Sequence, residues 1–120
     1  MTERDLIGTW RRVAYGDISL EGRHLIHLRA DGTAVSEGEY EGQPYSIQYT
    51  WRLTGPAEWE LRRTIPPGEI PGLDEECIQV EDHVVVEFDG ARMAVSKFDY
   101  EERFHFERVG GPVAGVDPAP

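Results

Sequence analysis

Two Asp-Gly pairs, Asp31-Gly32 and Asp89-Gly90, each stand between short runs of β-branched and aromatic residues. A Gly that tolerates positive φ behind a short Asp is the strongest local signal for a chain reversing between strands. Gly55-Pro56-Ala57 makes a third reversal, and Gly16 to Gly22 and Glu41 to Pro44 supply two more breaks. The runs between them alternate apolar with polar residues, and no window of 11 or more residues carries helical periodicity. The chain is therefore expected to be all-β. Eight strands follow: Gly8–Gly16, Arg23–Ala30, Thr33–Tyr40, Ser46–Thr54, Glu58–Ile65, Cys77–Phe88, Ala91–Phe98 and Glu102–Val109. The sixth is expected to bend or split near Glu81-Asp82. Short connections favour an antiparallel up-and-down meander, and eight such strands can close into a barrel with room for one small ligand or a packed interior. A two-sheet sandwich is the alternative, but it would want longer connections.

Two segments lie outside this pattern. Thr2-Glu3-Arg4-Asp5 has the form of an N-cap with an acid three positions on, which predicts one helical turn over Glu3–Ile7. Pro66 to Glu76 is the one long loop; Ile70 and Leu73 could fold over an opening as a lid, or the loop could be a solvated connector. With 120 residues a single core is expected, giving a barrel domain over 1–109 and a disordered C-terminal tail over 110–120.

Charge narrows the partners. The 23 acidic residues outnumber 12 basic ones, and the formal charge of −11 argues against nucleic acid and against anionic membranes. Purely apolar runs reach only three residues, as at Val84 to Val86, and the first residues lack a basic region followed by an apolar stretch. The single cysteine, Cys77, leaves no internal disulfide and no Cys-rich zinc site, which fits a cytoplasmic location. A barrel of this size can also pair through an outward face, so a homodimer stays open.

Strand parity sorts side chains onto two faces. The apolar sets are Ile47, Tyr49, Trp51 and Leu53; Trp59 and Leu61; His24, Ile26 and Leu28; Val84, Val86 and Phe88; and Phe104, Phe106 and Arg108. Ala34, Ser36 and Gly38 share a face with Tyr40, and Trp10, Arg12 and Ala14 share one opposite Val13 and Tyr15. The candidate ligand-binding set is thus Tyr40, Tyr49, Trp51, Trp59, Phe104 and Phe106, with polar groups from His24 and Arg12. The same rings could simply fill a core.

The opening Leu6-Ile7-Gly8-Thr9-Trp10-Arg11-Arg12-Val13 and the closing Phe106-Glu107-Arg108-Val109 resemble the two ends of lipocalin-like, calycin-type bacterial barrels. The resemblance implies an eight-stranded barrel in which Trp10 packs across the closed end and Arg108 lies over its ring, a structural cation–π pair. The disulfide and leader of secreted lipocalins are not in this sequence. Haem barrels of related type want a Gly-rich run after Gly-x-Trp, whereas Arg11-Arg12-Val13 follows Trp10 here, so no haem and no other cofactor is expected.

Catalytic motifs are sparse. His24 and His27 stand three apart, which on a strand puts them on opposite faces, so they cannot readily share a metal ion. His83 and His105, flanked by acids, are expected at the surface. Neither a nucleophile elbow nor a P-loop is present, and Cys77 beside Glu75-Glu76 lacks an electropositive setting. The expectation placed first is therefore a barrel that binds a small, largely apolar ligand. Second is a cofactor-independent natural-product cyclase or isomerase using the same cavity, an analogy of fold, with His24, Arg12 or Tyr49 polarising a carbonyl. Third is an acidic protein-binding module of the immunity type, facing a basic partner through Glu37–Glu41, Asp74–Glu76 and Tyr100–Glu102.

Overall fold

The computed structural model describes residues 1–97 and 100–110. A short helix α1 (Glu3–Leu6) is followed by β1 (Gly8–Tyr15), a two-residue β2 (Ile18–Ser19), β3 (His24–Leu28), β4 (Thr33–Tyr40), β5 (Gln43–Gly55), β6 (Glu58–Ile65), β7 (Cys77–Phe88), β8 (Arg92–Lys97) and β9 (Phe104–Gly110). Every neighbour pairing is antiparallel, in chain order from β3 to β9, and β9 returns to pair with β1. Eight strands thus form a closed up-and-down barrel with no free edge, as the turn spacing predicts. The stub β2 pairs with Ala14 and Tyr15, continuing the edge of β1 that β3 occupies from Gly8 to Arg11. Of the expected disordered tail over 110–120, Gly110 instead ends β9, where it pairs with Thr9, and residues 111–120 lie outside the described residues.

The Asp-Gly pairs work through the carboxylate as much as the glycine. Asp31 Oδ1 accepts from the Thr33 backbone N–H at 2.9 Å and from its hydroxyl at 2.6 Å. Asp89 Oδ1 accepts from the N–H groups of Ala91 and Arg92 at 2.9 and 2.7 Å. Gly32 and Gly90 then take φ of 85° and 90°, values that a side chain with a Cβ adopts only under strain.

One end of the barrel is plugged. Asp5 receives the Thr2 backbone N–H at 2.7 Å and so starts α1, which lays Leu6 across the opening. Trp10 is fully buried beneath it and donates its indole N–H to the Leu6 carbonyl at 2.9 Å. Arg108 covers the ring, with its guanidinium carbon 4.3 Å from the centroid. The structural pairing of Trp10 with Arg108 is as expected. Leu28, Met93, Val95, Ile26, Trp51, Val85 and Phe106 complete the core above this plug.

Three local expectations are corrected. The sixth predicted strand does not split at Glu81-Asp82; β7 runs unbroken, and its irregularity falls between Val85 and Glu87. Its facing is inverted as well. Val84 and Val86 are each 40% exposed and lie outside with Ile78 and Val80, whereas His83 and Val85 point inward at 2% and 7%. The hydrogen-bonded ladder imposes this, since His83 sits opposite the inward Trp59, and a one-residue slip would swap the two faces. On β1 a register shift between Arg12 and Ala14 turns Tyr15 back toward the interior, where it packs 4.9 Å from Phe104.

Candidate functional site

The interior is not filled. A cavity of about 120 Å³ remains, toward the end away from Trp10, lined by Arg12, His24, Ser36, Tyr45, Tyr49, Trp59, Leu61, Glu81, His83, Lys97 and Phe106 among others. Of the candidates from sequence, Arg12, His24, Tyr49, Trp59 and Phe106 are brought together here. Phe104 lies just behind, buried at 7% exposure, with the Arg12 guanidinium carbon 5.6 Å and the Lys97 ammonium 5.2 Å from its ring centre. Two candidates fall elsewhere. Tyr40 is 69% exposed in the last pair before the Glu41-Gly42 turn, where a strand end leaves the barrel wall. Trp51 is buried in the core and donates its indole N–H to the Arg29 carbonyl at 2.8 Å.

The lining is more polar than parity predicted, and the polar excess comes from two strands. Following β7's inverted register, Glu81 and His83 enter the barrel. From β8 comes Lys97, whose side chain crosses to Phe104. His83, expected at the surface, stacks flat on Trp59 with centroids 3.8 Å apart and planes 4° from parallel. Burial holds its imidazole neutral, with the pKa lowered to about 3; the nearby Lys97 charge acts the same way, and the backbone of Trp59 and Glu81 opposes the shift. His24 is also pushed down, first by burial and then by Arg12; its Nδ1 lies 3.0 Å from the Tyr45 hydroxyl. Tyr49 is raised by burial and by Glu81. Lys97 is lowered by burial, with Glu81 opposing and Arg12 reinforcing that shift.

Three buried polar atoms make no hydrogen bond to the protein among the described residues: Arg12 Nε, Trp59 Nε1 and His83 Nδ1. All three belong to residues that line the cavity. An unsatisfied buried polar group costs about 1–3 kcal/mol, so three around one small space are an unusual concentration. The other tryptophans show the contrast, since Trp10 and Trp51 each have a carbonyl for their N–H. Glu60, the remaining buried charge, faces away and is held by Arg52 at 2.8 Å and Arg62 at 3.6 Å.

Two larger spaces lie on the outer wall. One of about 700 Å³ runs over β8, β9 and β1, and one of about 530 Å³ over β4 to β6. They are open grooves, the first reaching down to the buried Met93, Ala94 and Phe106 and the second to Ala34 and Val35, and no residue with an unsatisfied buried atom lines either. His27 lies on the outer side from His24, bonded to Thr9 at 2.8 Å and 3.6 Å from Glu37. Among the described residues no group of three or more His, Cys, Asp or Glu side chains is placed to hold a metal ion. The Pro66–Glu76 loop joins β6 to β7 at the end away from Trp10; its Ile70 is 46% exposed, and Arg63, on the same side of β6 as the buried Trp59 and Leu61, holds Glu69 of the loop at 2.8 Å. Among the described residues no helix is long and apolar enough to cross a membrane.

Fold and site together define a class: a closed eight-stranded antiparallel barrel, consistent with the calycin type, with an internal cavity of mixed aromatic and polar lining. Neither the profiles of known protein families nor the sequences of characterised proteins give a match to this chain.

Proposed function

We propose that this protein is a lipocalin-like, cytoplasmic small-molecule-binding barrel whose ligand lodges between Trp59, Phe106, Leu61 and the polar groups of β7 and β8. The observation that carries the reading is the inverted β7. A strand that leaves Ile78, Val80, Val84 and Val86 in solvent while turning Glu81 and His83 inward departs from the pattern that stability alone favours. Local departures of that kind are expected where function constrains the chain. A ligand that supplied partners to Arg12, Trp59 and His83 would offset the cost.

The apolar body expected from sequence keeps its wall in Trp59, Leu61 and Phe106, while the ligand's polar end now has defined donors. Native mass spectrometry of the protein purified gently from its own host tests this. A small-molecule adduct supports the reading, and a bare chain under conditions that preserve the fold contradicts it.

The cyclase or isomerase reading is favoured by one contact, His24 with Tyr45, a paired donor and acceptor at the cavity wall. Recovery of the released ligand as isomers, in proportions that change on incubation with the protein, would distinguish turnover from carriage. The acidic-module reading gains nothing comparable, because Glu37 in its expected surface is already engaged by Arg23 and His27.

A further inference from the structure

We infer that the interior ligand is a compact monocarboxylic acid whose carboxylate is held between Arg12 and Lys97, the two cations that lie against Phe104. The inference rests on the interior-binding reading and adds the ligand's chemical class.

The charge inventory leads there. Arg12 and Lys97 are the cations of the cavity wall and Glu81 its carboxylate, so the lining carries one net positive charge inside a chain of −11. Both cations lean on the same ring, at 5.6 and 5.2 Å from its centre, and among the described residues neither forms an ion pair within 4.0 Å. Two like charges gathered at one ring in a partly buried site repel, and burial penalises the Lys97 ammonium, which Glu81 offsets only in part. A bound monoanion would offset the repulsion and balance the charge. A phosphate dianion would overshoot it and would face Glu81. Arg12 Nε–H is unpartnered and buried, and a guanidinium N–H with an adjacent ammonium is a donor set that suits a carboxylate.

Size and walls limit the remainder. About 120 Å³ is well below the ~300–1,000 Å³ of common ligand pockets, so the acid is short or singly ringed. Trp59 Nε1–H is a second free donor, and neutral His83 presents Nδ1 beside it. An oxygen on the body of the acid would meet both.

The test is a titration of ¹⁵N-labelled protein with benzoate, benzamide, hexanoate and hexanamide, followed at the three tryptophan indole signals. The Trp59 signal is expected to move while those of Trp10 and Trp51 stay. At least one acid is expected to bind about tenfold or more tightly than its amide, the scale of one charge-assisted contact. Lys97→Met should remove that preference, and Arg11→Met, which deletes an exposed cation on the outer face, should leave it. Equal affinity for acid and amide overturns the carboxylate assignment while leaving interior binding in place. A Trp59 signal that answers to none of the four overturns both. Should Lys97→Met fail to fold, the acid–amide comparison on the wild-type chain decides alone.

Discussion

The Arg108 guanidinium lies 4.3 Å from the centre of the Trp10 ring and joins the last strand to the first. The same group donates to the carbonyls of Gly90 and Ile7, each at 2.7 Å, and to that of Asp5. One side chain therefore ties α1, the β7–β8 turn and β9 across the plugged end. Replacing it by Met should destabilise the fold by about 2–4 kcal/mol, from the cation–π contact and from carbonyls left without a donor. Arg108→Lys should recover less than half of this, because an ammonium cannot reach three carbonyls in the plane that the guanidinium spans. Urea unfolding of the three proteins measures the differences, and equal stabilities would remove Arg108 from the closure.

His83 gives the protein a distinct response to acid. Its folded-state pKa of about 3 lies below the 6.5 of a free imidazole, so between those values the unfolded chain takes up a proton that the folded one refuses. Stability is therefore full above about pH 6.5 and falls as pH drops toward 3, with a limiting slope of about 1.4 kcal/mol per pH unit. His24, also shifted down, acts in the same sense. Asp31 and Asp89, held low by hydrogen bonds to Thr33 and to Arg92 and Ala91, contribute stability that is lost only at lower pH, below the 3.8 of a free carboxyl. His83→Phe keeps a ring on Trp59 and should flatten the profile between pH 6.5 and 4. An unchanged slope would show that His83 is not neutral and buried.

Gly38 is held by a close approach rather than by its torsion. A Cβ there would stand 2.1 Å from the Arg23 carbonyl oxygen and 3.0 Å from the Tyr45 hydroxyl. Gly38→Ala should cost about 2 kcal/mol or more and disturb the His24–Tyr45 contact. Gly55→Ala, whose Cβ would meet only ordinary contacts with Glu58 from 3.7 Å, should change stability by less than about 1 kcal/mol. Thermal unfolding of both variants checks the contrast.

The two large rings of β5 and β6 should separate by function. Trp51→Ala should lower stability by about 3–5 kcal/mol through loss of core packing, without selectively altering the interior site. Trp59→Phe should keep most of the stability, since it deletes an N–H with no protein partner, and should weaken ligand binding. Binding of benzoate to both variants, beside their unfolding midpoints, shows whether these roles hold or are reversed.

Much of this architecture was legible in the residues. The turns at Asp31-Gly32 and Asp89-Gly90 and the body of each of the eight barrel strands follow from local chemistry that tertiary context does not override. The short Thr2–Asp5 cap does too. The Trp10–Arg108 closure follows instead from the resemblance of the two chain ends to calycin-type barrels. The strand ends shift by up to three residues, as at Gln43, and the two-residue β2 carried no signal. The interior was legible where a strand has one clearly apolar face, as on β5 with Tyr49 and Trp51. It was not on β7, where Val80, Val84 and Val86 face Glu81, His83 and Val85 across the strand. Hydrophobicity favours the wrong set there, and only pairing of His83 with Trp59 sets the phase. Tyr15 was misplaced for a related reason, since the irregularity after Arg12 breaks a strict alternation. Lys97 carried no signal beyond its position, because a long side chain can bring its charge to a ring well away from its own backbone. Tyr40 had the right parity but stands too near a hairpin tip to be covered.

The most direct measurement is a high-resolution crystal structure of the protein purified gently from its own host, read at the barrel interior. The account predicts a bound acid with carboxylate oxygens within hydrogen-bonding distance of Arg12 Nε and Lys97 Nζ, and with Trp59 Nε1 and His83 Nδ1 facing it. An interior in which the walls have closed and protein atoms satisfy those same groups would contradict it.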